Sequence, residues 1–304
     1  MANSRKLTIY LQDGLRQEAE AGNHNFFGIL DKAFKDKGFE VAYLPDTPDE
    51  LLKSEQRDGY SLLHLQTPFH DRALDVRLAY MYPFWRIEKA QWREDYQVAR
   101  AEFDPAKVDE AEAKKFFRFW RHRLGVGELH RFAGVGSVLI ALQGRLLDQR
   151  HGQSMTPIEM IRETIAQDVI REIVIKLHPK ETYSEPELAA LQEFRNNPRV
   201  SFRQDDIGLL LNDCDYVVTQ NSSVAFKGLL HTRPAILFGA SDFHHLFQNV
   251  NQIGVARAFR NVTAARMAYA KYVYWFLQGN SINAGREGAA ERILAYCRRF
   301  GWEI

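Results

Sequence analysis

The chain has 304 residues, a formal net charge of +1 and a pI near 7.8. This charge balance gives no support to duplex DNA as a partner, and the length is enough for two domains. Two cysteines, Cys214 and Cys297, indicate neither a disulfide framework nor a zinc site. Since the chain has no apolar signal core at its start and no run of about 20 apolar residues, we expect a cytoplasmic protein.

The first third of the chain alternates between predicted strands and helices. Residues 7–11, 39–44 and 60–65 are short apolar runs, which are typical of buried strands. Residues 26–37 repeat their apolar positions with helical spacing, and 49–54 indicate a short helix. This order predicts a parallel, Rossmann-like α/β half.

The first strand is followed at once by a polar turn, Gln12, Asp13 and Gly14. Ligands of open α/β sheets bind outside the carboxyl ends of the strands, so Asp13 is a candidate for chemistry. An aspartate beside a glycine is also a common turn signal with no further role.

Two segments combine aromatic side chains with basic ones. Residues 67–92 either line an acceptor groove, with rings that stack on sugars and arginines that bind acids, or form a packed helical insertion. Residues 114–123 either contact an anionic membrane surface or form a helix whose aromatic side chains face the core.

A second half begins at about residue 137. Two glycines within residues 128–136 indicate a linker, and residues 138–142 read as the next strand, followed by Gln143. We therefore expect one domain over residues 1–130 and another over 137–284. A last helix within 285–304 is expected to cross back to the first domain.

The strand over residues 172–177 ends in a cluster of basic side chains. It delivers Lys176, His178 and Lys180, with Pro179 between the last two, to the carboxyl edge of the sheet. Histidine can donate a hydrogen bond to a phosphate, and lysine adds positive charge. A solvated loop that begins at the proline explains the same pattern without a ligand.

A second polar turn follows the strand over residues 216–218. Its side chains are Gln220, Asn221, Ser222 and Ser223, and a helix continues from Ala225. A helix N-terminus offers free N–H groups and partial positive charge, so this turn can bind a phosphate; it can also be a simple helix cap. We expect this turn to lie at the end of the parallel strand next to the one that delivers His178.

The pair of KLHP (176–179) and QNSS (220–223) resembles motifs of bacterial CMP-sugar-dependent glycosyltransferases. Sialyltransferases of this kind carry an HP motif and a downstream SS/ST motif. Residues 215–234 are similar to a segment of the capsule-polysaccharide biosynthesis and β-Kdo transferase family. The resemblance covers roughly residues 138–247 and implies a GT-B architecture, in which two Rossmann-like domains with parallel sheets face each other across a nucleotide-sugar cleft.

The resemblance also implies roles for particular residues. It assigns the CMP phosphate to His178 and the two serines, and it makes residues 137–284 the nucleotide-sugar domain and 1–130 the acceptor-side domain. Further binding candidates are Lys176, Pro179, Gln220, Asn221, Gln143, Lys180, Lys227 and Ser241. Asp13 matches the acid of the sialyltransferases' acidic-Gly motif, where it is the general base.

Two positions depart from the family. Gln12 stands where the acidic-Gly motif begins with an acid, and Lys227 stands where the family usually has a glutamate that holds the ribose. Binding of a phosphate is therefore better supported than the identity of the nucleotide.

Three functions fit this sequence. The first is a metal-independent glycosyltransferase without a cofactor that moves an acidic sugar from a CMP-sugar to a glycan or glycolipid of a surface polysaccharide. The second is a GT-B transferase that uses a UDP- or GDP-sugar. The third is an inactive nucleotide- or glycan-binding protein of a polysaccharide assembly complex. For the first we expect a cytoplasmic enzyme with peripheral membrane contact through residues 114–123 and no nucleic acid partner.

Overall fold

The computed structural model describes residues 4–126, 136–264 and 267–304, so only Gly136 of the expected linker lies within it. The described strands are, in chain order, β1 (Lys6–Leu11), β2 (Glu40–Pro45), β3 (Tyr60–His64), β4 (Ala73–Leu78), β5 (Phe84–Glu88), β6 (Ser137–Ala141), β7 (Glu172–Lys176), β8 (Val200–Phe202), β9 (Cys214–Thr219), β10 (Ala235–Leu237), β11 (Gln248–Asn249) and β12 (Ile282–Asn283).

The α-helices connect and cover these strands. They are α1 (Asp13–Glu20), α2 (Asn25–Lys35), α3 (Pro48–Lys53), α4 (Gln97–Arg100), α5 (Glu110–Arg123), α6 (Pro157–Gln167), α7 (Glu185–Gln192), α8 (Ile207–Asp213), α9 (Ser223–Leu230), α10 (Val250–Ile253), α11 (Val255–Asn261), α12 (Tyr269–Val273) and α13 (Ala289–Arg299). A π-helix, Tyr274–Gly279, follows α12. No helix among the described residues is long and apolar enough to span a membrane.

The first unit comprises Met1–Arg100 and Phe276–Ile304 and contains a six-stranded sheet in the order β12-β5-β4-β3-β1-β2. Strands β1 to β4 are parallel, whereas β5 is antiparallel to both of its neighbours. The apolar side chains of one sheet face form a core with α2 and α13. Strand β2 lies on one side of β1, and β3, β4 and β5 lie on the other. The strand order therefore reverses at β1, and open α/β sheets bind ligands at such a reversal.

The second unit, Ala101–Trp275, contains a fully parallel six-stranded sheet in the order β11-β10-β9-β6-β7-β8. Short β-branched runs such as those of β6, β7 and β9 suit strands that are buried on both faces. Strand β6 is the point of reversal, since β7 and β8 lie on one side of it and β9 on the other. The α/β fold class predicted from the sequence is confirmed.

Residues 67–92 form neither the expected helical insertion nor an arginine-lined groove. They contain β4 and β5, and their three arginines, together with the adjacent Arg93, are engaged within the unit. Arg72 donates to three backbone carbonyls, Arg77 binds Asp75, the buried Arg86 lies 4.6 Å from the Phe276 ring centre, and Arg93 donates to a tyrosine hydroxyl. The aromatic content reflects core packing, since Trp85 stacks on Phe26 at 4.4 Å.

The unit boundaries differ from those expected at residues 130 and 284. Helix α5 lies in the second unit, because it packs against α12 and α9, with Phe116 and Tyr274 ring centres 5.4 Å apart. Helix α13 lies in the first unit and packs against α2. Between them, α12 and the π-helix cover residues 269–279.

Candidate functional site

A cavity of about 320 Å³ lies at the carboxyl edge of the second sheet. Four chain segments line it: Ala141 and Leu142 at the end of β6, residues 176–179 after β7, residues 204–207 after β8, and the first turns of α9. The KLHP and QNSS segments therefore share one cavity, although their strands are not neighbours as expected, because β6 lies between β7 and β9. The cavity occupies the reversal of strand order, where α/β sheets bind their ligands.

His178 is held in place by its own loop. Its backbone N–H donates to the Tyr183 hydroxyl at 2.8 Å, and its Nδ1 accepts the Lys180 backbone N–H at 3.3 Å. Because Nδ1 is an acceptor in this arrangement, the ring proton resides on Nε2. The half-buried imidazole lines the cavity and can donate a hydrogen bond from Nε2.

Lys176 joins two of the segments that line the cavity. Its Nζ donates to the backbone carbonyl of Asp205 at 2.8 Å and so fixes the loop over residues 204–207 to the end of β7. Pro179 lines the same wall. The ammonium contributes positive charge to the cavity while its geometry is set by one strong hydrogen bond.

Ser222 and Ser223 form the N-terminal end of α9 and line the same cavity as His178. The buried Ser222 is the N-cap and its Oγ accepts the Val224 N–H at 3.2 Å, which is the capping role that the sequence offered as one alternative. Ser223 is exposed, and both serines line the cavity. The free N–H groups of the first helical turn add donors and partial positive charge at the same place.

The other polar residues of the QNSS turn support the backbone. Gln220 is buried and donates to the Met155 carbonyl at 3.0 Å, and Asn221 donates to the Ala240 carbonyl at 3.2 Å. Neither lines the cavity, and the same holds for Gln143, Lys180 and Ser241. The structure thus brings together Lys176, His178, Pro179, Ser222, Ser223 and Lys227 out of the residues singled out from the sequence.

Asp13 lies in the first unit, at the point where the strand order of that sheet reverses. It is the first residue of α1, not part of a turn, and Gln12 is the N-cap. Its side chain is 75% exposed and pairs with Arg16 at 3.2 Å. An exposed carboxylate directly after a central strand is positioned to meet a ligand at this sheet's carboxyl edge.

Glu187 was not singled out from the sequence, although it organises two loops beside the cavity. This buried carboxylate accepts the Ser184 N–H at 2.8 Å and the Leu146 N–H at 2.6 Å, which ties the loop after β6 to the start of α7. Hydrogen bonds from the Ser184 backbone, together with the others, lower the pKa of Glu187. The signal was present in the sequence, since Ser184 and Glu187 have the spacing of a capping box.

The described residues contain no group of three or more histidine, cysteine, aspartate or glutamate side chains that could hold a metal ion. His244 and His245, the adjacent histidines after β10, bind protein groups instead. His244 Nδ1 lies 2.8 Å from the Ser241 carbonyl, and His245 lies 3.0 Å from both the Tyr272 hydroxyl and the Ala101 carbonyl.

Comparison with protein families gives a match that lies within the second unit. Residues 151–272 match the model of a family described as capsule polysaccharide biosynthesis protein. This range includes both the KLHP and QNSS segments. No curated protein sequence matches the chain significantly.

Several solved structures resemble the whole chain at low sequence identity. The β-Kdo 2,7 transferase of Thermosulfurimonas dismutans KpsC has a TM-score of 0.55 and 12% identity, and the match covers 98% of this chain and 100% of that chain. The β-Kdo 2,4 transferase of the same protein gives a TM-score of 0.47 at 12% identity, with 88% and 89% covered. The UDP-GlcNAc 2-epimerase of Methanocaldococcus jannaschii gives 0.41 at 10% identity, with 97% and 99% covered.

The first of these matches shows the fold. It extends over both sheets and agrees with the GT-B-like, α/β architecture that the paired motifs implied. The resemblance predicted from KLHP and QNSS is confirmed: the chain is similar to the capsule polysaccharide biosynthesis family over residues 151–272 and has a β-Kdo transferase-like, GT-B glycosyltransferase fold.

Proposed function

We propose that this chain is a glycosyltransferase of surface polysaccharide synthesis that moves an acidic sugar, of the Kdo or sialic acid type, from a CMP-sugar to a glycan or glycolipid acceptor. The observation that carries the proposal is the shared cavity of His178 with Ser222 and Ser223. Three kinds of donor converge there: an imidazole Nε2–H, serine hydroxyls and the free N–H groups of α9. A phosphate is the ligand that such a set fits.

The chemistry required of these groups is stabilisation of a leaving group. As the bond between the anomeric carbon and the phosphate oxygen breaks, its electron pair remains on the phosphate and CMP departs. Donors fixed beforehand around that oxygen stabilise the developing charge without reorganisation. The hydrogen bonds that fix His178 and Lys176 to the surrounding backbone provide this rigidity.

Asp13 is our proposed general base. The acceptor hydroxyl attacks the anomeric carbon, and its proton passes to a carboxylate as the new carbon–oxygen bond forms. An exposed carboxylate at the end of β1 is accessible to an acceptor. In a reaction that retains configuration, a carboxylate of the first unit would attack the anomeric carbon itself.

The proposal predicts selective stabilisation of the purified chain by cytidine nucleotides. Thermal unfolding is measured with CMP, UMP and GMP, and a nucleotide at about 100 times its Kd adds about 2.7 kcal/mol to the unfolding free energy. We expect a shift with CMP that disappears in Ser222→Ala and His178→Ala. A shift with UMP or GMP alone would indicate that the donor is a UDP- or GDP-sugar. The absence of a shift with all three nucleotides would favour the non-enzymatic binding protein.

A second proposal concerns contact with an anionic membrane surface through α5. Its buried face consists of Ala113, Phe116 and Trp120, as expected of an amphipathic helix. Phe119 is nevertheless 56% exposed, and the exposed Lys115 and Arg118 lie near it on the helix surface. A basic face with a protruding aromatic ring is suited to anionic lipid headgroups.

The proposed membrane contact predicts binding to vesicles that contain phosphatidylglycerol. Co-sedimentation should be stronger than with phosphatidylcholine alone and should weaken at high salt, because exposed charges are screened. Arg118→Glu combined with Phe119→Ser should reduce it. Equal sedimentation with both lipids, or no effect of the double variant, would contradict this contact.

A further inference from the structure

Lys227 places a positive charge on the wall of the cavity. It lies four residues after Ser223 in α9, so the two exposed side chains share one helix face, and both line the cavity. Helical side chains lean toward the N-terminus of their helix, which directs the lysine stem back toward the QNSS turn. Within residues 4–126, 136–264 and 267–304, Lys227 forms no hydrogen bond or ion pair that would hold it elsewhere.

The carboxylates that line the cavity already have partners. Asp205 accepts two hydrogen bonds from the Arg203 guanidinium, at 2.9 and 3.0 Å. Asp206 caps α8 and accepts the Gly208 N–H at 2.7 Å. Lys176, the other lysine of the cavity, donates to a backbone carbonyl. The ammonium of Lys227 is therefore the cavity cation that remains for a ligand among the described residues.

We propose that Lys227 binds a second anionic group of the ligand, directly beside the phosphate at the start of α9. This inference rests on the proposed function and specifies its substrate class. The donors around Ser222 and His178 already suffice for one phosphate, so an additional ammonium favours a ligand with a second anionic group next to that phosphate. Two sources supply such a group: the carboxylate on the anomeric carbon of an acidic sugar, or the second phosphate of a nucleoside diphosphate.

The consequence is discrimination between donors by charge. A CMP-linked acidic sugar has a carboxylate on the same carbon that bears the phosphate oxygen, whereas a neutral sugar has none. CMP alone likewise lacks the second anionic group. Lys227 thereby becomes a specificity-determining residue whose contribution depends on the second charge and not on the base.

The test is calorimetric titration of the full chain with CMP, CDP and CMP-N-acetylneuraminate. We expect at least one of the two ligands that carry a second anionic group to bind about tenfold more tightly than CMP, the effect of one charge-assisted hydrogen bond at a partly exposed site. An advantage of CMP-N-acetylneuraminate alone identifies the carboxylate as the second group, and an advantage of CDP alone identifies a phosphate.

Two variants should change this affinity advantage over CMP in opposite directions. Lys227→Gln should remove the advantage and leave CMP affinity within about twofold. Asp206→Asn should increase the advantage, because asparagine keeps the helix cap and removes a nearby negative charge. Lys107→Gln, which changes an exposed lysine of the same unit outside the cavity lining, is the matched control and should change nothing.

Each remaining outcome counts against the inference. Equal affinities of all three ligands for the wild-type chain, or an equal loss for all three in Lys227→Gln, would overturn it while leaving the proposed function intact. Failure of every ligand to bind the wild-type chain would overturn both, since the phosphate site itself would then be absent.

Discussion

His178→Ala should lower the rate of glycosyl transfer about 10²- to 10³-fold, the usual cost of removing one fixed donor from a developing negative charge. His178 lines the cavity, and its Nδ1 accepts the Lys180 backbone N–H, which leaves Nε2 as the donor of the ring. The loss should appear mainly in kcat, since the charge that the imidazole stabilises grows as the phosphate departs. Release of CMP from a CMP-sugar provides the measurement.

The matched control for this variant is His122→Ala, which removes an exposed imidazole of α5 in the same unit. It should leave the rate within about twofold, as expected of a surface substitution remote from the chemistry. A His178→Ala enzyme that works at the wild-type rate, with normal stability, would show that this imidazole does not contact the leaving group.

Asp13→Asn should reduce transfer about 10²- to 10⁴-fold and leave the affinity for CMP unchanged, because a general base acts on the acceptor hydroxyl and not on the nucleotide. Stability should change little, since the carboxylate is largely exposed and its pair with Arg16 is a surface ion pair. Transfer rate and CMP affinity, measured on the same preparation, separate the two effects.

Asp36→Asn is a suitable comparison for Asp13. Asp36 is also an exposed carboxylate at a helix end and pairs with Lys32 at 2.7 Å. It should be neutral for transfer. If Asp13→Asn were equally neutral, the general base would have to be another residue. The similarity of residues 12–14 to the acidic-Gly motif would then not identify the base.

The elements around the cavity could be predicted from the sequence because their signals are local. The strands β6, β7 and β9 are short apolar runs, and Ser222 is a favourable N-cap directly before α9. What the sequence could not give is the strand order, which places β6 between the two motifs. The loop over residues 204–207 also lines the cavity, and Lys176 bonds to its backbone at Asp205, a contact that no residue type in the sequence predicts.

The first sheet was harder to predict because one of its faces buries charge. Strand β4 carries Asp75 and Arg77 on the same face, and the register sets them opposite Glu88 and Arg86 of β5. Charged positions in a strand argue against burial when read singly. Arg77 forms an ion pair with Asp75 within β4, and the buried Arg86 and Glu88 face this pair from β5, a grouping that becomes evident only when both strands are in register.

Strand β12 illustrates a second limit of the sequence. It has two residues, Ile282 and Asn283, which pair with Trp85 and Phe84 of β5, a strand far away in the sequence. A segment of that length has no periodicity to recognise. The last helix was expected within residues 285–304, whereas the strand before it was not expected.

Release of CMP from CMP-Kdo or CMP-N-acetylneuraminate by the purified chain, in the presence of a capsular oligosaccharide, is the decisive measurement for the proposed transfer reaction. We expect protein-dependent release of CMP, together with extension of the oligosaccharide by one acidic sugar, and loss of both in His178→Ala. Consumption of a UDP- or GDP-sugar instead, with no CMP released from either CMP-linked donor, would contradict it.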